Sequence, residues 1–438
     1  MKKTIAQKLR EKKYKKPNKF LYWVLCNIVV KSLAKKYGTT FKRNVDMKKY
    51  NKQQFILIGN HASRADYIFA SLAVGSTRPL NYVIGHNELY RSHLKLILSI
   101  ANAIPKKNFV PDMTAMRGIK EVLSSGGNIC IFPEGMSSIS GAQQPIALGS
   151  GKFIKHYNLP VLMIKIKGGY HTNPKFNMIE RPGKVEVELD ELFTVDQIKS
   201  LTAEQIQAII DQKLKHDEYE WNNLKGYEYD CNGAPASQIE QLLYKCPVCN
   251  EEYCMEGKAN KITCTHCGLE IKINNKLQFT LPSNSYLPAT PTKWFEWERR
   301  LVRKEVSSEN FCIKERVKLG ILPKYDYLKN YQTSAFAGEG ILSLTKEGLT
   351  FEGKKCGQPF SLFIESKNLP SFGMCTDATT IYTFAQDGEY YEFTPIDKNT
   401  SIKLMLAAEE IHRVNGGKWQ NYSDFNYDDL NAGFIKTN

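Results

Sequence analysis

Phe55-Ile56-Leu57-Ile58-Gly59-Asn60-His61-Ala62-Ser63-Arg64-Ala65-Asp66 is the stretch from which the rest of the chain is best read. Phe55 to Ile58 is a continuous apolar run, the pattern of a strand covered on both faces. Gly59 and Asn60 end it with turn chemistry. His61 then stands where a strand stops, the usual place for a site in an open α/β sheet. Asp66 follows five residues later. On one helix that spacing is about 500° of rotation, so the two side chains would not share a face. His61 is therefore expected before or at the first turn, with Asp66 in the helix and pointing back. A carboxylate so placed holds one ring nitrogen and leaves the other free as a general base. Without support elsewhere, the pair reads equally well as a helix-capping His and a surface carboxylate.

Support comes about 70 residues further on. Asn128 to Phe132 is a second apolar strand, and Pro133-Glu134-Gly135-Met136-Ser137-Ser138 follows at its end. Together, Asn-His-x-x-x-x-Asp and Phe-Pro-Glu-Gly resemble the first and third motifs of the glycerophospholipid acyltransferases, the 1-acylglycerol-3-phosphate acyltransferase family. The resemblance covers roughly residues 20 to 220.

The chain has 438 residues, room for two or three domains. A charged fraction of 24% with 42% hydrophobic residues describes a globular chain, not a disordered one. The net charge of +15 favours an anionic partner, either nucleic acid or an anionic membrane. Much of the excess is N-terminal: nine Lys or Arg residues precede Phe20, against Glu11 alone. Phe20 to Val30 is an aromatic-rich apolar run of 11 residues bracketed by Lys19 and Lys31. A span needs about 20 apolar residues, so this run suits a membrane interface instead. An ordinary core helix with a basic flank is the alternative. Nucleic-acid binding is not expected, because the charge is not interleaved with stacking aromatics. The first apolar run has no small-residue cleavage site, so a reducing cytoplasm is expected, with the protein peripheral or monotopic on the cytoplasmic face of a membrane.

Repeated strand and helix signals from 55 to 190 predict an α/β sandwich around a central sheet. Asp112 is a cap for a helix from Met113, and Thr202 with Gln205 makes a capping box. Next, Cys246-x-x-Cys249, 14 residues and Cys264-x-x-Cys267 predict a zinc ribbon. Four thiolates close the coordination shell, so the expected role is structural. Cys254 falls outside the pattern. From about 330, five short strands and a helix from Lys403 to Val414 resemble a PH or GRAM-like β-barrel in topology. The expected organisation is a basic membrane-interface region at 1–50, the α/β domain at 51–225, a linker at 226–243, the ribbon at 244–275, a connector at 276–329 and the β domain at 330–425.

In the family resembled, the motif histidine takes a proton from an acceptor hydroxyl, which attacks an acyl thioester directly; no acyl-enzyme forms. The resemblance gives those tasks to His61, as base, and Asp66, as its orienter. The donor would be acyl-CoA or acyl carrier protein, and the acceptor lysophosphatidic acid or a related lysophospholipid. The family's second motif supplies a cation for the acceptor phosphate; Lys106 and Lys107 stand there, with Lys106 where Arg is usual. The third motif commonly reads Glu-Gly-Thr-Arg-Ser, whereas Met136 and Ser137 follow Glu134-Gly135 here, so its arginine is missing. Arg64 is a candidate replacement. Glu134 is expected to hold either an acceptor hydroxyl or a neighbouring backbone amide. The α/β domain alone is expected to suffice for chemistry. Two competing readings keep the fold: a different acceptor, or a membrane-bound scaffold in which ribbon and barrel recruit partners.

Overall fold

The computed structural model describes residues 2–329, 332–419 and 425–438. Residues 330–331 and 420–424, within the span read as the β domain, lie outside the described residues.

The N-terminal α/β domain is built on one seven-stranded sheet. Its strands are β1 (Thr39–Arg43), β2 (Ile56–Gly59), β3 (Leu80–Gly85), β4 (Ile104–Lys106), β5 (Asn128–Ile131), β6 (Val161–Lys167) and β7 (Val185–Phe193), in the order β1-β7-β6-β2-β5-β3-β4. β2 lies at the centre and pairs in parallel with both β5 and β6. Its apolar run is explained by that position. Phe55 and Leu57 pack into one layer with Ile68 and Phe69, while Ile56 and Ile58 pack into the opposite layer with Ile154 and Ile206. Because β2 and β5 are parallel neighbours, the segments that leave their C-terminal ends, His61 and Pro133–Glu134, emerge side by side. Helices at Met113–Ser124 and Ala203–Leu214 begin with the expected caps: Asp112 accepts from Thr114 and Ala115, and Thr202 with Gln205 closes a capping box.

The apolar run after Lys19 forms a helix, Lys19–Leu25, continued by Lys31–Lys36 through a widened turn at Cys26–Val30. The buried residues are Tyr22, Cys26, Val30 and Ala34, a spacing of four. A regular α-helix has 3.6 residues per turn, so a spacing of four drifts off one face. The wider turn restores the phase. The opposite face leaves Phe20 69%, Trp23 46% and Ile28 68% exposed. Among the described residues no helix is long and apolar enough to cross a membrane.

The stretch 226–243 is packed rather than solvated: Tyr229, Cys231, Ile239 and Leu242 are buried, because its glycines and prolines are interleaved with apolar anchors. A four-stranded ribbon sheet follows, made of β8 (Met255–Lys258), β9 (Lys261–Cys264), β10 (Glu270–Ile273) and β11 (Phe279–Thr280). Beyond it, β12 (Tyr286–Pro288) pairs with a strand at the C-terminus, and helix Pro291–Val306 lies in the stretch read as a connector.

The C-terminal sheet has seven antiparallel strands: β13 (Cys312–Ile321), β14 (Ala335–Thr345), β15 (Gly348–Lys355), β16 (Gln358–Glu365), β17 (Gly373–Met374), β18 (Ile381–Phe384) and β19 (Tyr390–Pro395). Their order is β16-β15-β14-β13-β19-β18-β17, with helix Ser401–Val414 against it. The sheet takes its first strand from inside the expected connector, so it starts before 330. β16 and β17 are the two ends of the sheet, with no pairing between them among the described residues, so the expected barrel closure is not made by strand pairing. One apolar core runs from Phe109 and Met136 in the α/β domain, through Ile262 and Ile271 of the ribbon and Trp294 of the connecting helix, into Phe351, Phe393 and Leu404. The three regions therefore pack as one body.

Candidate active site

The chain leaves β2 under tight control. The Asn60 side-chain amide donates to the Ile166 carbonyl at 2.8 Å, and its oxygen accepts the Ile166 N–H at 2.7 Å. This extends the β2–β6 ladder by one side chain and fixes where His61 begins. Asp66 opens helix Asp66–Val74 and is 1% exposed. Its Oδ2 lies 2.8 Å from His61 Nδ1, and the Ser63 N–H and hydroxyl donate to the same carboxylate at 3.0–3.1 Å. Burial pushes the Asp66 carboxyl up; the His61 ring and the Ser63 donors pull it back. The expected geometry, a His before the helix and an Asp pointing back, is what the structure contains. With Nδ1 engaged, Nε2 is the free ring nitrogen. The ring stacks on Phe132, centroids 4.7 Å apart, and the side chain is 25% exposed, toward a cavity.

Glu134, 1% exposed, binds no ligand-facing group: Oε1 accepts the His61 N–H and Oε2 the Gln144 N–H, each at 2.7 Å. Of the two contacts expected of it, the structure contains the backbone amide. Burial pushes its carboxyl up, against those two bonds. Gly135 sits at φ 78°, a conformation that glycine adopts without strain. Glu134 thus locks the β5 turn to the backbone of the histidine.

The cavity is about 1090 Å³, the size of a lipid-chain or large cofactor site. Apolar residues from the N-terminal helix (Leu25, Leu33), from Lys95–Ile100 (Ile97, Leu98) and from the opposite layer (Phe153, Ile154) line most of it. Its charged wall carries Arg64, Arg91, Lys106 and Lys175, together with the carboxylates Glu88, Asp112 and Glu180. Arg64 donates to the carbonyls of Asn177 and Met178 and borders the cavity. Lys106 also faces it, its ammonium held by the Lys107 and Val110 carbonyls and its pKa lowered by burial. Lys107 departs from the sequence reading. Its ammonium turns away, donates to the Gly388 carbonyl at 2.8 Å and lies over Phe384, so it ties the α/β domain to the C-terminal sheet. β4 alternates its side chains, so consecutive lysines at its end point in different directions.

Arg91 and Lys175 were not found by sequence reasoning, since neither belongs to a motif. Lys175 donates to Ser137 Oγ at 3.4 Å, and burial lowers its pKa to about 8. Met374, Cys375, Thr376 and Tyr382 of the C-terminal sheet also line the cavity, as do Lys418 and Trp419. The C-terminal sheet therefore contributes part of the wall of the cavity that His61 borders.

Residues 39–167 match the family described as Acyltransferase. This region is an acyltransferase-like domain. Among solved structures, the 1-acyl-sn-glycerophosphate (LPA) acyltransferase PlsC from Thermotoga maritima is similar to the chain at 19% identity, covering 43% of this chain and 79% of that one, with a TM-score of 0.33. No curated protein matches the chain. The family match spans both β2 with His61 and Asp66 and β5 with Glu134.

Outside the acyltransferase domain, the sulfurs of Cys246, Cys249, Cys264 and Cys267 lie within 4.8 Å of one another. The Cys246–Cys267 and Cys249–Cys264 separations are both 3.7 Å. A tetrahedral zinc with Zn–S near 2.3 Å has sulfur–sulfur edges of roughly 3.8 Å. The donor set therefore fits such an ion. Cys254 lies 3.4 Å from Cys264, but its thiol donates to the Glu251 carbonyl.

Proposed function

We propose that this protein transfers a fatty acyl group from a thioester, acyl-CoA or acyl carrier protein, to the hydroxyl of lysophosphatidic acid or a related lysolipid, giving phosphatidic acid or its analogue. The observation that carries this is the His61–Asp66 pair, its Nδ1 engaged at 2.8 Å, at the edge of a large and mostly apolar cavity. Asp66 accepts the Nδ1 proton and so keeps the Nε2 lone pair available. Nε2 takes the acceptor's hydroxyl proton as the oxygen attacks the thioester carbonyl. The tetrahedral intermediate collapses with loss of the thiolate, which takes the proton back from the imidazolium. Asp66 stabilises that cation in a dry setting, where charge pairs are stronger than in water.

Membrane attachment through residues 1–36 belongs to the same reading. The exposed apolar face of Phe20, Trp23 and Ile28 supports it, as does Leu96 on the adjoining helix, with Lys19, Lys31, Lys35 and Lys36 beside them. The cavity is lined by residues of the same helix, so a lipid enters without leaving the interface. The four-cysteine cluster is proposed to hold one structural zinc. The strand order of the C-terminal sheet and its closing helix support a PH or GRAM-like relationship. Thioester consumption by purified protein, measured across lysophosphatidic acid, other lysophospholipids and monoacylglycerol, tests the reading; no consumption above the His61→Ala background with any acceptor would reject it.

A further inference from the structure

The loop after Glu134 is where this chain departs most from the family pattern, and it is also where the C-terminal sheet docks. Met136 is buried and its sulfur accepts the Met374 N–H at 3.3 Å. Ser137, at the position of the missing arginine, accepts from Lys175. Lys175 is held from the other side, its carbonyl accepting the Asp377 N–H at 3.0 Å. The sheet edge is itself pinned, because Cys375 and Tyr390 both donate to the buried Glu392 carboxylate, at 3.3 and 2.6 Å. Lys175 therefore projects between the acyltransferase loop and the sheet edge, into the same cavity as His61.

Its charge has no carboxylate in direct contact, and Glu88 compensates it only from a distance. Among the described residues no carboxylate lies within 4.0 Å of the Lys175 ammonium, whereas Arg91 has Glu88 at 3.4 Å. Glu88, Arg91 and Arg64 all act on Lys175 electrostatically, the carboxylate favouring its charge and the two arginines opposing it. A half-buried ammonium with no carboxylate in contact is costly, and a bound anion reduces the cost. Resting on the acyl-transfer reading, we propose that Lys175 and the sheet edge Met374–Thr376 seat the acceptor's phosphate, so that acceptor selectivity is set partly outside the acyltransferase domain. The missing motif arginine and the added C-terminal sheet are then two sides of one change. The cation comes from a distant part of the chain and is held in place by the domain that displaced the motif.

The test uses the full-length protein with Lys175→Met, Lys175→Arg and Thr376→Trp. Thioester release is followed with lysophosphatidic acid and with uncharged monoacylglycerol, and thermal stabilisation by sn-glycerol 3-phosphate is read separately. Loss of one charged hydrogen bond predicts a rise of about 10- to 100-fold in KM for lysophosphatidic acid with Lys175→Met. The KM ratio between the two acceptors should collapse, and Lys175→Arg should restore most of it. Thr376→Trp should raise the acceptor KM and leave the donor KM in place. Stabilisation by glycerol 3-phosphate should be lost in Lys175→Met. An unchanged acceptor ratio in Lys175→Met overturns the proposal, as does an equal loss on both acceptors, which would mark a merely structural lysine. If the Met variant does not fold, the Arg and Thr376→Trp variants decide. If the wild type uses neither acceptor, the acyl-transfer reading fails and the thermal shift alone decides the anion seat: no shift in the wild type refutes it.

Discussion

Replacing Phe20, Trp23 and Ile28 together by serine removes most of the exposed apolar face of the N-terminal helix and touches nothing in its buried face. The three side chains are 69%, 46% and 68% exposed. Full transfer of such a side chain out of water is worth about 1.5–3 kcal/mol, so scaled by exposure the three contribute roughly 3–5 kcal/mol to membrane binding. Every ~1.4 kcal/mol is tenfold, so the vesicle partition coefficient should fall by at least about 100-fold. Lys19, Lys31 and Lys35 remain and contribute about 1 kcal/mol each near an anionic surface, whereas Lys36 is paired with Glu180. That part is screened at about 1 M salt, where the Debye length is ~3 Å. Wild type should therefore weaken but stay bound to anionic vesicles at high salt, whereas the triple variant should be released. Sedimentation with vesicles of phosphatidylcholine and phosphatidylglycerol measures both. Solvent-facing substitutions of this kind change stability by only about 0.5 kcal/mol, so the melting temperature serves as the control. Partitioning of the variant within threefold of wild type, or complete release of wild type by salt alone, would show that the exposed face is not an anchor.

The other expected outcomes concern the site, the metal and the charge at Lys175. His61→Ala should lower kcat by about 10²–10⁴ with the fold intact by circular dichroism, and wild-type turnover from this variant would end the general-base mechanism. Elemental analysis of protein purified without chelator should find one zinc per chain. Stripping it should unfold the ribbon, since metal binding at such sites is folding energy; protein with no zinc that melts normally would refute this. Burial lowers the Lys175 pKa to about 8, so its ammonium is lost as pH rises through that value, and the KM for lysophosphatidic acid should climb above about pH 8. The same lowered pKa means the unfolded chain binds more protons between about 8 and 10.5, so this group makes stability rise with pH in that window. Lys175→Arg should flatten the KM profile, and a profile unchanged by that substitution would remove Lys175 from the binding step. A chain ending near 225 should lose the acceptor wall along with the sheet, and full activity on lysophosphatidic acid from it would contradict the cavity's composition.

The centre of the acyltransferase domain was legible because its signals are local. A strand covered on both faces must be apolar throughout, as Phe55–Ile58 is, and caps such as Asp112 and Thr202 act on amides two or three residues away. The His61–Asp66 geometry followed from helix rotation alone. Other features had no local signal. β13 alternates Ile313, Val317 and Leu319 with charged residues, so its outward face reads as a polar connector. Lys106 and Lys107 look equivalent in sequence, yet the strand sends one to the cavity and the other to Gly388. Lys175 depends on the meeting of two segments far apart in the chain, one carrying Ser137 and one carrying Asp377. The missing arginine marked the place where something had changed, but not what replaced it.

The widened turn at Cys26–Val30 works as a phase adjuster between two halves of one rod. Deleting a single residue there, Asn27 for example, would let the helix run on regularly with Tyr22 and Val30 seven residues apart, about 700° or roughly 20° short of two turns, so the buried face would be kept. Inserting one residue would instead rotate everything after it by about 100°. Val30 and Ala34 would swing away from the core, and the lysines at 31, 35 and 36 would sweep round with them, no longer in register with Phe20 and Trp23. The rod would keep its composition, its length within one residue and its net charge, yet lose the alignment of its two faces. Insertions in this segment should therefore be far less tolerated than a single deletion within the widened turn or substitutions at its exposed positions.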